Sequence, residues 1–108
     1  DKAKSWPIRH FSVANPVEQA ARISGIPERS FKRRFKSATG HAPIDYVQRL
    51  RVEEAKRRLV RTGAAVDEIS WQVGYEDPAF FRRLFKRITG VTPGAYRRKF
   101  HIPEVESR

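Results

Sequence analysis

Apolar residues recur along this chain at helical spacings. Phe31, Phe35 and Ala38 fall at i, i+4 and i+7, and Phe81, Phe85 and Ile88 repeat the pattern. Spacing of this kind marks one buried face of an α-helix, and nothing resembles a strand hairpin. Asn15-Pro16 reads as an N-cap followed by Pro at the first helical position, and Glu18 completes a capping box. A short helix is predicted from there to about residue 23, turned by Ser24-Gly25-Ile26. A second helix is predicted over 27–39 and stopped by Gly40. The same signals return later. A helix is predicted over 66–73, Gly74-Tyr75-Glu76 turns, Asp77-Pro78 caps a helix ending at Gly90, and Thr92-Pro93 caps a last helix to about residue 100. Trp6, Ile8 and Phe11 predict one more helix at the start, kept short by Pro7.

The two sets of elements are copies. Val17 and Gly25 match Val66 and Gly74 at an offset of 49. From Phe31 the offset is 50. Phe31, Arg33, Phe35, Lys36, Thr39, Gly40, Pro43 and Tyr46 then match Phe81, Arg83, Phe85, Lys86, Thr89, Gly90, Pro93 and Tyr96, eight identities in sixteen positions. Two copies predict two equivalent units rather than a solenoid. Each reads as helix, glycine-containing turn, helix, the helix-turn-helix pattern. Between them a long helix is predicted over 44–61. Tyr46, Val47 and Leu50 cluster on one side of it, and Val52, Ala55 and Leu59 on roughly the opposite side. A helix that changes its buried face halfway along packs one half against each unit, as a rigid bridge. The expected fold class is therefore all-α, with about seven helices. Its parts are a first helix-turn-helix subdomain at 1–43, a linker helix at 44–62, a second subdomain at 63–100 and a frayed tail at 101–108.

Composition narrows the class. The 108 residues carry 23 Lys+Arg against 12 Asp+Glu, a net charge of +11. Two Trp, three Tyr and seven Phe suffice for a modest core, which a disordered basic tail would lack. Cysteine is absent, which removes disulfides, thiolate metal sites and cysteine nucleophiles. Methionine is absent too, so Asp1 is expected not to be the native start and the chain to be the C-terminal piece of something longer. No run approaches the roughly 18 apolar residues of a membrane span, and no signal peptide opens the chain. A folded domain with this charge excess is expected to meet a polyanion.

The charge is placed as such a partner requires. Arg29, Lys32, Arg33 and Lys36 form a stripe away from Phe31 and Phe35, and Ala79, Arg82, Arg83 and Lys86 do the same opposite Phe81 and Phe85. A single basic stripe is most often a solvated face. The same stripe twice, in matching helix-turn-helix settings, points to the major groove of DNA, about 12 Å wide, where Arg can donate two bonds to guanine O6 and N7. The phenylalanines, Tyr46 and Tyr96 are read as core, and Gly25 and Gly74 as turn residues. Arg49, Arg51, Arg57, Arg58 and Arg61 on the bridge are open to either role, because Glu53 and Glu54 can pair with Arg57 and Arg58 at i+4. Arg97 and Arg98, with Lys36 and Lys86, are the candidate phosphate contacts. Enzyme signals are missing. His10, His41 and His101 lack metal-ligand spacing, no phosphate-binding glycine loop occurs, and the carboxylate pairs Glu53-Glu54 and Glu76-Asp77 have helix-surface or capping explanations. No cofactor, metal or catalytic residue is expected.

Residues 29–35, Gly40-His41-Ala42-Pro43, residues 50–55, Val73-Gly74-Tyr75-Glu76-Asp77, residues 81–86, Gly90-Val91-Thr92-Pro93 and Tyr96-Arg97 together resemble the DNA-binding domain of AraC/XylS-family bacterial transcription regulators. The wording also resembles the subgroup that carries an N-terminal DJ-1/amidotransferase-like sensor domain. The resemblance implies a seven-helix module reading two adjacent major-groove segments of duplex DNA in the cytoplasm. It places the base-facing residues on Arg29, Lys32 and Arg33 in the first copy, and on Pro78, Ala79, Arg82 and Arg83 in the second. It implies transcription regulation, with activation as the expected sense. It also implies a monomeric fragment, with effector binding and dimerisation of the full-length protein in the missing N-terminal domain. The sequence departs from the family in three places. Pro27 stands where a capping Ser is frequent. Pro78 and Ala79 offer only apolar contact, such as to a thymine methyl, where polar readers are frequent. Ser70 replaces a usual Ala. Two rival readings are a non-specific nucleic-acid or RNA binder and a module docking on an acidic protein such as an RNA polymerase subunit. A membrane-surface helix is disfavoured, because the aromatic stripes are needed for a core.

The bridge generates a prediction. Residues 44–61 make roughly 27 Å of helix at 1.5 Å per residue, and major-groove segments on one face of B-DNA recur about every 34 Å. One chain is expected to read two boxes about ten base pairs apart. Inserting about five base pairs between the boxes, half a helical turn, should reduce binding in an anisotropy titration to that of a single box. Equal affinity on both sites would sink the rigid bridge.

Overall fold

The computed structural model describes residues 15–100, and all regular structure among them is α-helical. Six helices follow one another: α1 (Pro16–Ser24), α2 (Glu28–Thr39), α3 (Pro43–Arg61), α4 (Val66–Gln72), α5 (Pro78–Thr89) and α6 (Pro93–Phe100). The further helix expected around Trp6–Phe11 and the expected tail at 101–108 lie outside the described residues. The chain divides into two compact units, Asp1–Arg51 and Val52–Arg108. The division falls inside α3, so each unit takes one half of that helix.

In the first unit, Ala20 and Ala21 of α1 and Phe31 and Phe35 of α2 form the core, with Val17, Ile26 and Tyr46 packed against it. Phe31 and Phe35 are one turn apart with ring centroids at 5.8 Å, and Tyr46 from the start of α3 meets Phe35 edge-on at 5.4 Å. The second unit repeats the arrangement. Phe81 and Phe85 lie 5.8 Å apart, and Tyr96 of α6 meets Phe85 edge-on at 5.7 Å. Among the described residues its core joins Val52, Ala55 and Leu59 from α3 to Ile69, Val73, Tyr75, Phe81, Leu84 and Phe85. The change of buried face read along the linker is thus present, with Tyr46 packed against the first core and Val52, Ala55 and Leu59 part of the second, while Val47 is buried. Ala38, expected on the buried face of α2, is exposed. Its counterpart Ile88 packs against its core. A single methyl does not reach where a branched four-carbon side chain does.

Helix ends explain the remaining boundaries. Asn15 does not cap α1 through its side chain. It adopts φ 51°, and Glu18, instead of closing a capping box, pairs with Arg22 at 3.3 Å. Pro27 precedes α2 with φ −58° and ψ 148° and has no side chain to cap it, so α2 begins at Glu28, one residue later than the sequence predicts. Asp77 does cap α5, its Oδ1 accepting from the Ala79 N–H at 3.0 Å, and Thr92 Oγ1 accepts from the Ala95 N–H at 3.1 Å in α6. The two turns need glycine. Gly25 and Gly74 sit at φ 77° and 106°, where a Cβ clashes with the neighbouring backbone. In the second unit Ser70 adds a tie. Its hydroxyl donates to the Tyr75 carbonyl at 3.2 Å, and the Tyr75 N–H returns a bond to the Ser70 carbonyl at 2.9 Å.

Phe35 and Phe85 should therefore be equivalent anchors. Phe35→Ala and Phe85→Ala should each cost about 3–5 kcal/mol, read as a large drop in the thermal melting temperature. A melt unchanged from the parent would show that the rings do not hold α2 and α5.

Candidate nucleic-acid interface

The faces of α2 and α5 opposite the phenylalanines carry the candidate readers. On α2, Arg29, Lys32, Arg33 and Lys36 are all exposed. On α5, Ala79, Arg82, Arg83 and Lys86 are exposed and Pro78 is half-buried. Each stripe runs along a helix whose other side is fixed by two buried rings, so the cations are delivered on rigid supports.

Two of these cations are held by carboxylates. Lys32 Nζ lies 3.0 Å from Glu28 Oε2, one turn back on α2. Arg82 Nη2 donates to Asp67 Oδ1 of α4 at 2.5 Å. Arg29, Arg33, Lys36, Arg83 and Lys86 make no ion pair or hydrogen bond to the described residues. They remain available to an incoming anion. Exposed pairs such as Lys32–Glu28 contribute only about 0–1 kcal/mol, so they direct a side chain without locking it away. Pro78 and Ala79 present no side-chain donor at the start of α5, and the Ala79 N–H is taken by Asp77. Hydrogen-bonding side chains on that face begin at Arg82.

Three of the six cations of α3, Lys56, Arg57 and Arg58, are paired with carboxylates of the same helix. Glu54 Oε1 pairs with Arg57 at 2.9 Å and its Oε2 with Arg58 at 2.8 Å. Burial pushes the Glu54 carboxyl up, but the hydrogen bonds and charges of Arg57 and Arg58 outweigh it and hold the group below its ordinary value. Glu53 pairs with Lys56 at 2.9 Å rather than with Arg57. Arg58 also donates to Gln72 Oε1 at 2.8 Å. Arg51 is buried, 6 % exposed. Arg49 and Arg61 stay exposed.

Arg97 departs from expectation. Instead of facing outward for phosphate, its guanidinium donates to the Leu59 carbonyl at 3.0 Å, to Thr62 at 3.3 Å and to Ala64 at 2.6 Å. These carbonyls lie at and just beyond the end of α3, where a helix leaves acceptors unsatisfied and a cation is favoured. Arg98 is exposed, as a phosphate contact requires. The inward role of Arg97 had a signal in the repeat. Position 97 aligns with Val47, a buried position of the first copy. The Asp67–Arg82 pair was likewise visible only as an acid and a base in separate helices.

Among the described residues, no group of three or more His, Asp or Glu could hold a metal ion, and no helix is long and apolar enough to cross a membrane. Two outward-facing basic helices, each set by a short helix and a glycine turn, define a duplicated helix-turn-helix module. Residues 20–99 match the family model described as a helix-turn-helix domain, and the chain belongs to the AraC-type helix-turn-helix family. It is 31% identical over 99 residues to the MmsAB operon regulatory protein of Pseudomonas aeruginosa, covering 92% of this chain and 32% of that protein. Among solved structures, it is similar to the C-terminal domain of AraT, a response regulator from Geobacillus stearothermophilus. That match has a TM-score of 0.88 and 30% identity, covering 94% of this chain and 85% of that one. It is also similar to the DNA-binding domain of the global transcriptional factor AdpA in complex with a target DNA. There the TM-score is 0.84 and the identity 34%, covering 91% of this chain and 88% of that one. The chain spans about a third of the length of the curated relatives it matches.

Arg97→Ala should cost about 1.5–3 kcal/mol, the range for charge-assisted hydrogen bonds, in a denaturant titration, and Arg98→Ala should change stability by less than about 0.5 kcal/mol. A parent-like titration for Arg97→Ala, together with weakened DNA binding, would restore the phosphate role.

Proposed function

We propose that this chain is the sequence-specific duplex-DNA-binding module of a bacterial transcription regulator, acting in the cytoplasm as an activator. One observation carries the reading. The same cations, Arg33 and Lys36 in α2 and Arg83 and Lys86 in α5, stand outward at equivalent positions of two helix-turn-helix units. The likeness to a domain solved on its target DNA supports it. Arg29, Lys32 and Arg33 read bases from α2. Arg82 and Arg83 read them from α5, where Pro78 and Ala79 add apolar contact to a base edge such as a thymine methyl. Lys36, Lys86 and Arg98 bind phosphates, and the net charge of +11 supplies the sequence-independent part of the affinity. The module itself carries no reaction. Activation proceeds through contact with RNA polymerase, and effector binding and dimerisation belong to the rest of the whole protein.

Readers and clamps separate in one titration series. Arg33→Ala and Arg83→Ala should each weaken a selected site by about 1–3 kcal/mol and relax preference at one or two base pairs. Lys36→Ala should weaken all duplexes alike and lower the salt slope by about one unit. Uniform loss in the arginine variants would make both residues phosphate clamps, and flat affinity of the parent across duplexes would make the module a non-specific binder.

A further inference from the structure

Arg82 is the one candidate base reader tied to a different helix. Its Nη2 donates to Asp67 Oδ1 at 2.5 Å, across fifteen residues of sequence, and both side chains are about half exposed, 49% and 48%. Asp67 is the second residue of α4, the scaffold helix of the second unit, and Arg82 lies on the outer face of α5. In the first unit the aligned positions also hold an acid and a base, Glu18 and Lys32, but the two do not pair. Lys32 is held by Glu28 on its own helix, and Glu18 pairs with Arg22. The position of Glu28 is taken by Pro78 in α5, so Arg82 has no carboxylate one turn back and finds one on α4 instead.

We propose that Asp67 is a specificity-determining positioning residue, orienting Arg82 for base readout. The proposal rests on the sequence-specific DNA-binding reading above. An exposed ion pair adds little to stability. What it can do is fix a direction. The guanidinium is a planar fork of five N–H donors, and one engaged by Asp67 leaves the others in a set plane for a base edge. The carboxylate has a second effect. Beside DNA it repels phosphate, so it opposes binding wherever Arg82 finds no matching base. Asp67 therefore lowers affinity for wrong sequences while sharpening preference for the right one.

The test uses the full chain. Random duplexes selected by the parent define the preferred site. Affinities are then measured at fixed salt for that site, for its single-base variants and for an unrelated duplex. The proteins are the parent, Asp67→Asn, Arg82→Ala and the double variant, each checked by thermal melt. Arg82→Ala should flatten the preference at one or two base pairs by about tenfold. Asp67→Asn should flatten the same base pairs by up to about fivefold, while binding of the unrelated duplex rises by about twofold. The double variant should be no flatter than Arg82→Ala. Unchanged preference in Asp67→Asn, with Arg82→Ala flattened, overturns the positioning role and leaves the DNA-binding reading intact. Uniform loss in Arg82→Ala makes Arg82 a phosphate contact and overturns the proposal. A parent that selects no sequence overturns the sequence-specific reading itself.

Discussion

A stripe of guanidinium and ammonium groups can discriminate bases only if the helix beneath it is fixed to within a fraction of a side chain. Here that constraint is met by aromatic contact. In each unit two phenylalanines one turn apart stand on the inner face of the basic helix, and a tyrosine from the next helix closes against the second ring edge-on. The outer face is then free to be almost entirely cationic. Charge repulsion along it is opposed by ring burial on the other side, and aromatic side chains bury enough area to do so.

The two units meet this constraint with different means. Among the described residues, the first joins two alanines and two phenylalanines to three partly buried neighbours. The second draws three further aliphatic side chains from α3, adds Tyr75 and Leu84, ties its turn through Ser70, caps α5 with Asp77 and closes the end of α3 with Arg97. Among the described residues the supports of the two recognition helices differ. The difference begins where the chain leaves the basic helix. After α2 it runs on as the long α3, and after α5 it forms the short α6.

Much of this was legible in the sequence. Helical spacing, the offset of 49 to 50 residues, and the glycine and proline signals placed all six described helices, because each signal acts locally on the backbone. The changed buried face of α3 was legible for the same reason. What escaped depended on backbone conformation, on side-chain reach and, for Arg97, on contacts between distant segments. Asn15 and Glu18 spell a capping box, yet Asn15 adopts a left-handed backbone without a side-chain cap, and Glu18 pairs with Arg22. Ala38 has the right spacing but too little side chain to reach the core. Arg97 sits in a run of basic residues that reads as solvent-facing, and only the carbonyls at the end of α3, more than thirty residues away in sequence, turn it inward. For the candidate interface, the sequence located the stripes, while the partner that holds Arg82, on another helix, appears only in three dimensions.

The carboxylates beside Lys32 and Arg82 differ in whether they belong to the same segment as the cation. Glu28 is the first residue of α2, so α2 is self-contained: cut out and set into another scaffold, it brings its own counter-charge. The counter-charge of α5 stays behind on α4. The portable unit of recognition is therefore one helix in the first half of the chain and two helices with their glycine turn in the second. The natural seam for recombining the second unit lies before Val66 rather than before Pro78.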